Sequence, residues 1–195
     1  MHMSHSDHPD IVGVLALQGG YEAHEHKIHE LGFDTLQVRQ PKDLQEISAL
    51  IIPGGESGVM LRLIDSEFWS DIVELVSGGL PTLGTCAGMI LLANKVTNPS
   101  QKSLALLDIT VERNAYGRQN DSFVSSDIKY SDGKLGEGVF IRAPKICNLG
   151  ADVEVLATHN NQPVAVRQGN VIAASFHPEL SDGISHLHEI LVGQI

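Results

Sequence analysis

The run Ile11-Val12-Gly13-Val14-Leu15-Ala16-Leu17 is unbroken by any polar residue and closes on Gln18-Gly19-Gly20. That is the pattern of a parallel strand buried on both faces. A helix should follow to about Leu31 and stop at Gly32. Thr35 to Val38 predicts a second strand, Pro41 a helical turn, and Ala49 to Ile52 a third buried strand ended by Pro53-Gly54-Gly55. Helical spacing returns at Val59, Met60, Leu63 and Ile64, then at Phe68, Ile72, Val73 and Val76, before Gly78-Gly79. Pro81 to Gly84 predicts the fourth strand, with a helix over the apolar run from Met89 to Ala93. Strand alternating with helix means a parallel sheet covered on both faces.

The second half changes its pattern. Strands are expected at Ala105–Glu112, Gly138–Arg142, Val153–Thr158, Val164–Arg167 and Val171–Phe176, with hairpin signals at Asn160-Asn161 and Gly169-Asn170. A last amphipathic helix covers roughly Ile184 to Val192. The fold class is therefore α/β: a three-layer, flavodoxin-like, mostly parallel sheet with antiparallel additions in the C-terminal half. Residues 1–10 read as a disordered leader and 11–195 as one domain.

Charge narrows the function classes. Thirteen Lys and Arg face 24 Asp and Glu, a net charge of −11, with no basic cluster to neutralise nucleic-acid phosphates. No apolar run approaches the ~20 residues of a membrane span, and no signal-peptide pattern is present. Cys86 and Cys147 show neither zinc nor disulfide spacing, so a cytoplasmic setting is expected. His2, His5 and His8 of the leader could chelate a metal, but no metal site is predicted. His24, His26 and His29 on the first predicted helix read as a solvated polar face.

Ligands of open parallel sheets bind beyond the carboxyl ends of the strands. Gly84-Thr85-Cys86-Ala87-Gly88 stands at such an end and has the form of a nucleophile elbow, a strained strand-to-helix turn with the reactive side chain at its centre. The competing reading of Cys86 is a small buried hydrophobe. A thiol nucleophile needs a base with an orienting partner. His177 follows a predicted strand, and in extended chain His177 and Glu179 would share one face. Pro53-Gly54-Gly55-Glu56-Ser57 could offer N–H groups to an oxyanion or form a plain turn with a helix cap. Arg113 and Arg142, near strand ends, could bind a carboxylate or lie on the surface.

Together, "GTCAG" and "SFHPEL" resemble the class I glutamine amidotransferases, which release ammonia from glutamine with a Cys-His-Glu triad. "LALQGG", "IIPGGES", "VERNAYGRQNDSF" and "VFIRAP" are similar to the glutaminase subunits of pyridoxal 5′-phosphate synthase, over about Ile11 to Leu191. The resemblance implies Cys86 as nucleophile, His177 as general base and acid, and Glu179 as its orienter. It implies glutamine binding by Gly54, Gly55, Glu56, Arg113, Ile141 and Arg142, and an oxyanion hole from Ala87 and Gly55. Gln18 would lie at the interface with a synthase subunit. That subunit would combine the channelled ammonia with ribose 5-phosphate and glyceraldehyde 3-phosphate. No cofactor is expected on this chain. Gly58-Val59 and Ala23 depart from the family pattern, which usually has threonine after Pro-Gly-Gly-Glu-Ser and glutamate before the helix histidine. The rival readings are another glutaminase, such as the histidine-pathway subunit, and a flavodoxin-like module whose thiol is only oxidisable.

Overall fold

The computed structural model describes residues 10–113 and 122–195. The expected leader, residues 1–9, and residues 114–121 of the "VERNAYGRQNDSF" segment lie outside the described residues. Alternation in the first half gives β1 (Ile11–Leu15), α1 (Tyr21–Glu30), β2 (Asp34–Val38), a 3-10 turn (Pro41–Glu46) and β3 (Ala49–Ile52). It continues with α2 (Ser57–Leu63), α3 (Ser66–Ser77), β4 (Thr82–Thr85) and α4 (Ala87–Leu92). The chain then forms β5 (Ala93–Thr97), β6 (Leu107–Glu112), β7 (Phe123–Tyr130), β8 (Leu135–Phe140), β9 (Lys145–Leu149) and β10 (Glu154–His159). It ends with β11 (Gln162–Gln168), β12 (Val171–Ala174), a 3-10 turn (Pro178–Leu180) and α5 (His186–Val192).

Nine strands form the main sheet in the order β2-β1-β3-β4-β12-β11-β10-β7-β8. The first five are mutually parallel, and from β12 onward each neighbour is antiparallel. The period-two alternation of strand side chains decides the layers. Val12, Val14, Ile51 and Leu83 pack with Ile28 of α1 and Leu187 and Leu191 of α5. Leu15, Leu50 and Ile52 pack on the other face with Met60, Phe68, Ile72 and Leu91 of α2, α3 and α4.

The structure corrects one expectation. Leu107–Glu112 does not join the main sheet but pairs parallel with β5 and antiparallel with β9 in a separate three-stranded sheet. Its inward residues Leu107, Ile109 and Val111 still reach the core that α2 to α4 share with the main sheet, so the second sheet extends that core. β5, β7 and β9 give no clear apolar pattern, because each buries only a minority of its side chains. The hairpin signal at Asn160-Asn161 does mark a turn: both have positive φ, 49° and 60°, which asparagine tolerates.

The antiparallel half curls back on itself. The His177 N–H donates to the Val139 carbonyl at 2.8 Å, so β8 meets the chain just past β12. Phe140 fixes this closure; it is fully buried, 4.6 Å from Phe123 and 5.6 Å from Phe176 between ring centroids. Phe140→Ala should cost about 3–5 kcal/mol of stability in urea unfolding. A cost below about 1 kcal/mol would show that something else holds β8 against residues 176–177.

Candidate active site

Close approach builds the elbow between β4 and α4. A side chain at Gly84 would meet the Gly88 carbonyl group at 2.8–2.9 Å, and one at Gly88 would run into the Ile52 carbonyl oxygen of β3. With both side chains absent, α4 sits directly on the sheet and all six of its residues are buried. Cys86 takes the turn at φ 49°, ψ −103°, a backbone region that L side chains rarely adopt. It is anchored on both sides, its N–H donating to the Ala174 carbonyl at 2.8 Å and its carbonyl accepting from Ile90 at 3.2 Å. Ala87 opens α4, so its N–H has no carbonyl within the helix to bond.

Residues Gln18, Gly55, Glu56, Ser57, Cys86, Ile90, Arg113, Ile141, Arg142 and His177 line one cavity of about 300 Å³. All the sequence-predicted site residues are in its wall except three. Ala87 is the residue after Cys86, Gly54 packs behind the wall, and Glu179 lies beneath His177. Gly54 is wedged between the imidazole and the elbow: a Cβ there would strike the His177 ring and come within 3.3 Å of Cys86 Cβ. The Glu56 N–H donates to Gln18 Oε1 at 2.8 Å, which ties the loop after β1 to the loop after β3. Glu56 also pairs with Arg142 at 3.2 Å across the cavity mouth; both are more than half exposed, so the pair adds little stability. Ser57 is buried and donates to Gln101, which makes it structural.

His177 and Glu179 are brought together, but not by extended chain. The strand ends at Ala174, and Pro178 to Leu180 turn as a 3-10 helix with proline in its first position. Within that turn His177 Nδ1 lies 2.8 Å from Glu179 Oε1. The Glu179 side chain is 1% exposed. Burial alone would raise its pKa, but His24 and His177 beside it reverse that and hold it below the usual carboxylate range. For His177, burial opposes the charged form. Cys86 beside the ring and Glu179 bonded to it outweigh it and lift the pKa from 6.5 to about 10. A proton therefore rests on the imidazole next to the sulfur. Cys86 Sγ also lies 3.8 Å from the Ile141 carbonyl, the acceptor for a thiol proton when His177 does not hold it.

The first helix holds a residue that the polar-face reading of the sequence missed. His26 and His29 are exposed, but His24 is fully buried, with Nε2 3.3 Å from Glu179 Oε2 and 3.1 Å from Thr85 Oγ1. The signal was present in its spacing, because His24 stands four positions before Ile28 and so shares the core-facing side of α1. Cys147 is exposed on β9, away from the cavity. Among the described residues, no helix is long and apolar enough to cross a membrane.

Comparison with known proteins identifies the family. Subunit PdxT of the pyridoxal 5′-phosphate synthase of Koribacter versatilis is 46% identical over 185 residues, 94% of this chain and 95% of the relative. The PdxT of Bacillus cytotoxicus is 49% identical over 172 residues, 88% of each chain. A crystal structure of a glutamine amidotransferase superposes with a TM-score of 0.88 at 42% identity, covering 94% of this chain and 97% of that one. PurLQS of Thermotoga maritima, at 16% identity and a TM-score of 0.72 over 95% of this chain and 98% of that one, shares the fold. Residues 14–195 match the model of the SNO glutamine amidotransferase family, and the chain belongs to that family.

Proposed function

We propose that this chain is the glutaminase subunit of a pyridoxal 5′-phosphate synthase, with Cys86, His177 and Glu179 as its catalytic triad. One observation carries the residue assignment: the elbow thiol and an imidazole bonded at 2.8 Å to a buried carboxylate share the wall of one cavity. Similarity to PdxT proteins over nearly their whole length supports the subunit assignment.

The Cys86 thiolate, its proton on His177, attacks the side-chain amide carbon of L-glutamine. The N–H groups of Ala87 and Gly55 stabilise the oxyanion. Imidazolium at His177 then protonates the departing nitrogen, the C–N bond breaks, and ammonia leaves a γ-glutamyl thioester on Cys86. His177 next takes a proton from water, which attacks the thioester and releases glutamate. Arg113, Arg142, Ile141 and Glu56 supply charge and carbonyl groups for the amino-acid end of glutamine. Gln18 belongs to the face that meets the synthase subunit, which receives the ammonia. The thiol-sensor reading explains neither the cavity nor the buried Glu179.

Three outcomes follow from this reading. Cys86→Ser should lower glutaminase turnover on the order of 10⁴-fold and abolish the covalent adduct that a glutamine-analogue electrophile forms on Cys86 of the wild type, read by mass spectrometry. An adduct that persists in Cys86→Ser would reject Cys86 as nucleophile. Glutamate release by the isolated chain should be slow and rise sharply on addition of the synthase subunit; equal rates would remove the coupling. The third outcome concerns pH. The folded pKa of His177 lies above its unfolded value, so its contribution to stability is complete below about pH 6.5 and is lost as pH rises through about 10. The stability gap between wild type and His177→Gln in urea unfolding should therefore shrink from pH 6 to pH 10. A gap that widens over that range would contradict a proton held on His177.

A further inference from the structure

A line of buried polar side chains runs from the underside of Glu179 to the last helix. His24 of α1 approaches Glu179 Oε2 at 3.3 Å and Thr85 Oγ1 at 3.1 Å through Nε2. Its Nδ1 lies 2.8 Å from Nε2 of His188 in α5, and His188 Nδ1 lies 2.6 Å from Ser185 Oγ. Both imidazoles are fully buried. None of these five residues lines the cavity. Among the described residues Glu179 Oε2 has no hydrogen-bond partner; the nitrogen that approaches it, His24 Nε2 at 3.3 Å, has its hydrogen bond with Thr85 Oγ1.

Burial pushes the pKa of His24 and of His188 down, so both rings are neutral. A neutral imidazole has one N–H and one lone pair. Carboxylate oxygens only accept, so the ring atom facing Glu179 is His24 Nε2–H. His24 Nδ1 is then the lone pair and accepts from His188 Nε2–H. His188 Nδ1 in turn accepts from the Ser185 hydroxyl, and every ring nitrogen is satisfied. The opposite ordering would set a lone pair of His24 against a buried carboxylate and leave Oε2 with no donor at all, a costly arrangement at low dielectric.

We propose that His24 is a positioning residue of the glutaminase site: its Nε2–H, with tautomer fixed by His188 and Ser185, clamps Glu179 Oε2 to Thr85 beside the nucleophile. The clamp aims Glu179 Oε1 at His177 Nδ1 and ties the carboxylate to the residue that precedes Cys86. His24 touches neither substrate nor sulfur, so its influence passes through Glu179 and Thr85. The inference rests on the triad reading above.

The test uses the chain assembled with its synthase subunit for kinetics, and the chain itself for proton NMR of the low-field His177 Nδ1–H signal. His24→Leu should lower kcat by roughly 10–100-fold with KM within about twofold, and should shift or remove that signal. His24→Gln carries its amide nitrogen near the place of Nε2 and should restore most of kcat and the signal. His24→Asn, an amide too short to reach, should stay about tenfold below His24→Gln, so this pair decides the matter if His24→Leu does not fold. Equal kcat and an unmoved signal in His24→Gln and His24→Asn, while the wild type is alkylated at Cys86 by the glutamine analogue, would overturn the clamp and leave the triad standing. A wild type that forms no Cys86 adduct with the synthase subunit present would reject the triad reading and the clamp with it.

Discussion

The site depends on how closely α4 approaches β3 and β4. Side chains are excluded at Gly84 and Gly88 because backbone already occupies the space where each Cβ would go. That contact forces Cys86 into its positive-φ turn, a strain on the order of 1–3 kcal/mol that persists only because the surroundings over-determine it. The surroundings here are a helix with every residue buried and hydrogen bonds on both sides of Cys86. The same approach makes Ala87, the residue after Cys86, the first of α4, with an N–H that no carbonyl of the helix can accept. Gly54 repeats the device across the cavity, where its missing side chain lets His177 come up against the elbow.

Charge is then handled by pairing rather than by water. Glu179 lies too deep to be solvated, and an isolated carboxylate there would be neutralised by proton uptake. Protonated His177 on one oxygen keeps it ionised, and His24 Nε2 faces the other. The ionised carboxylate in turn lets a buried imidazole hold a proton near the sulfur. Elements from both layers meet at this point: α4 comes from one face of the sheet, and α1 and α5 from the other. The β8 edge, closing over Phe140 and Phe176, adds Ile141 and Arg142 to the cavity wall.

Much of this was legible in the sequence because it depends on local rules. Unbroken apolar runs gave β1 and β3, glycine and proline marked where strands stop, and G-x-C-x-G announced an elbow through the space its backbone needs. The pairing of His177 with Glu179 was also legible, though a 3-10 turn at Pro178 delivers it and not the extended chain that the alternation implied. β5, β7 and β9 were not legible. Their side chains are mostly outside the core, so backbone pairing with β6, β8 and β10 places them, and an apolar pattern does not.

Cys86, His177 and the glycines around them were set by the sequence alone, because turn sterics and strand ends act within a few residues. Which of ten histidines lies buried, which strands form the second sheet, and what faces the far oxygen of Glu179 were decided only by tertiary structure. His24 and His188 are 164 positions apart, and no local pattern links them. Only the packing of α1 and α5 on one face of the sheet removes water from both rings and turns two ordinary helix positions into partners beneath the site.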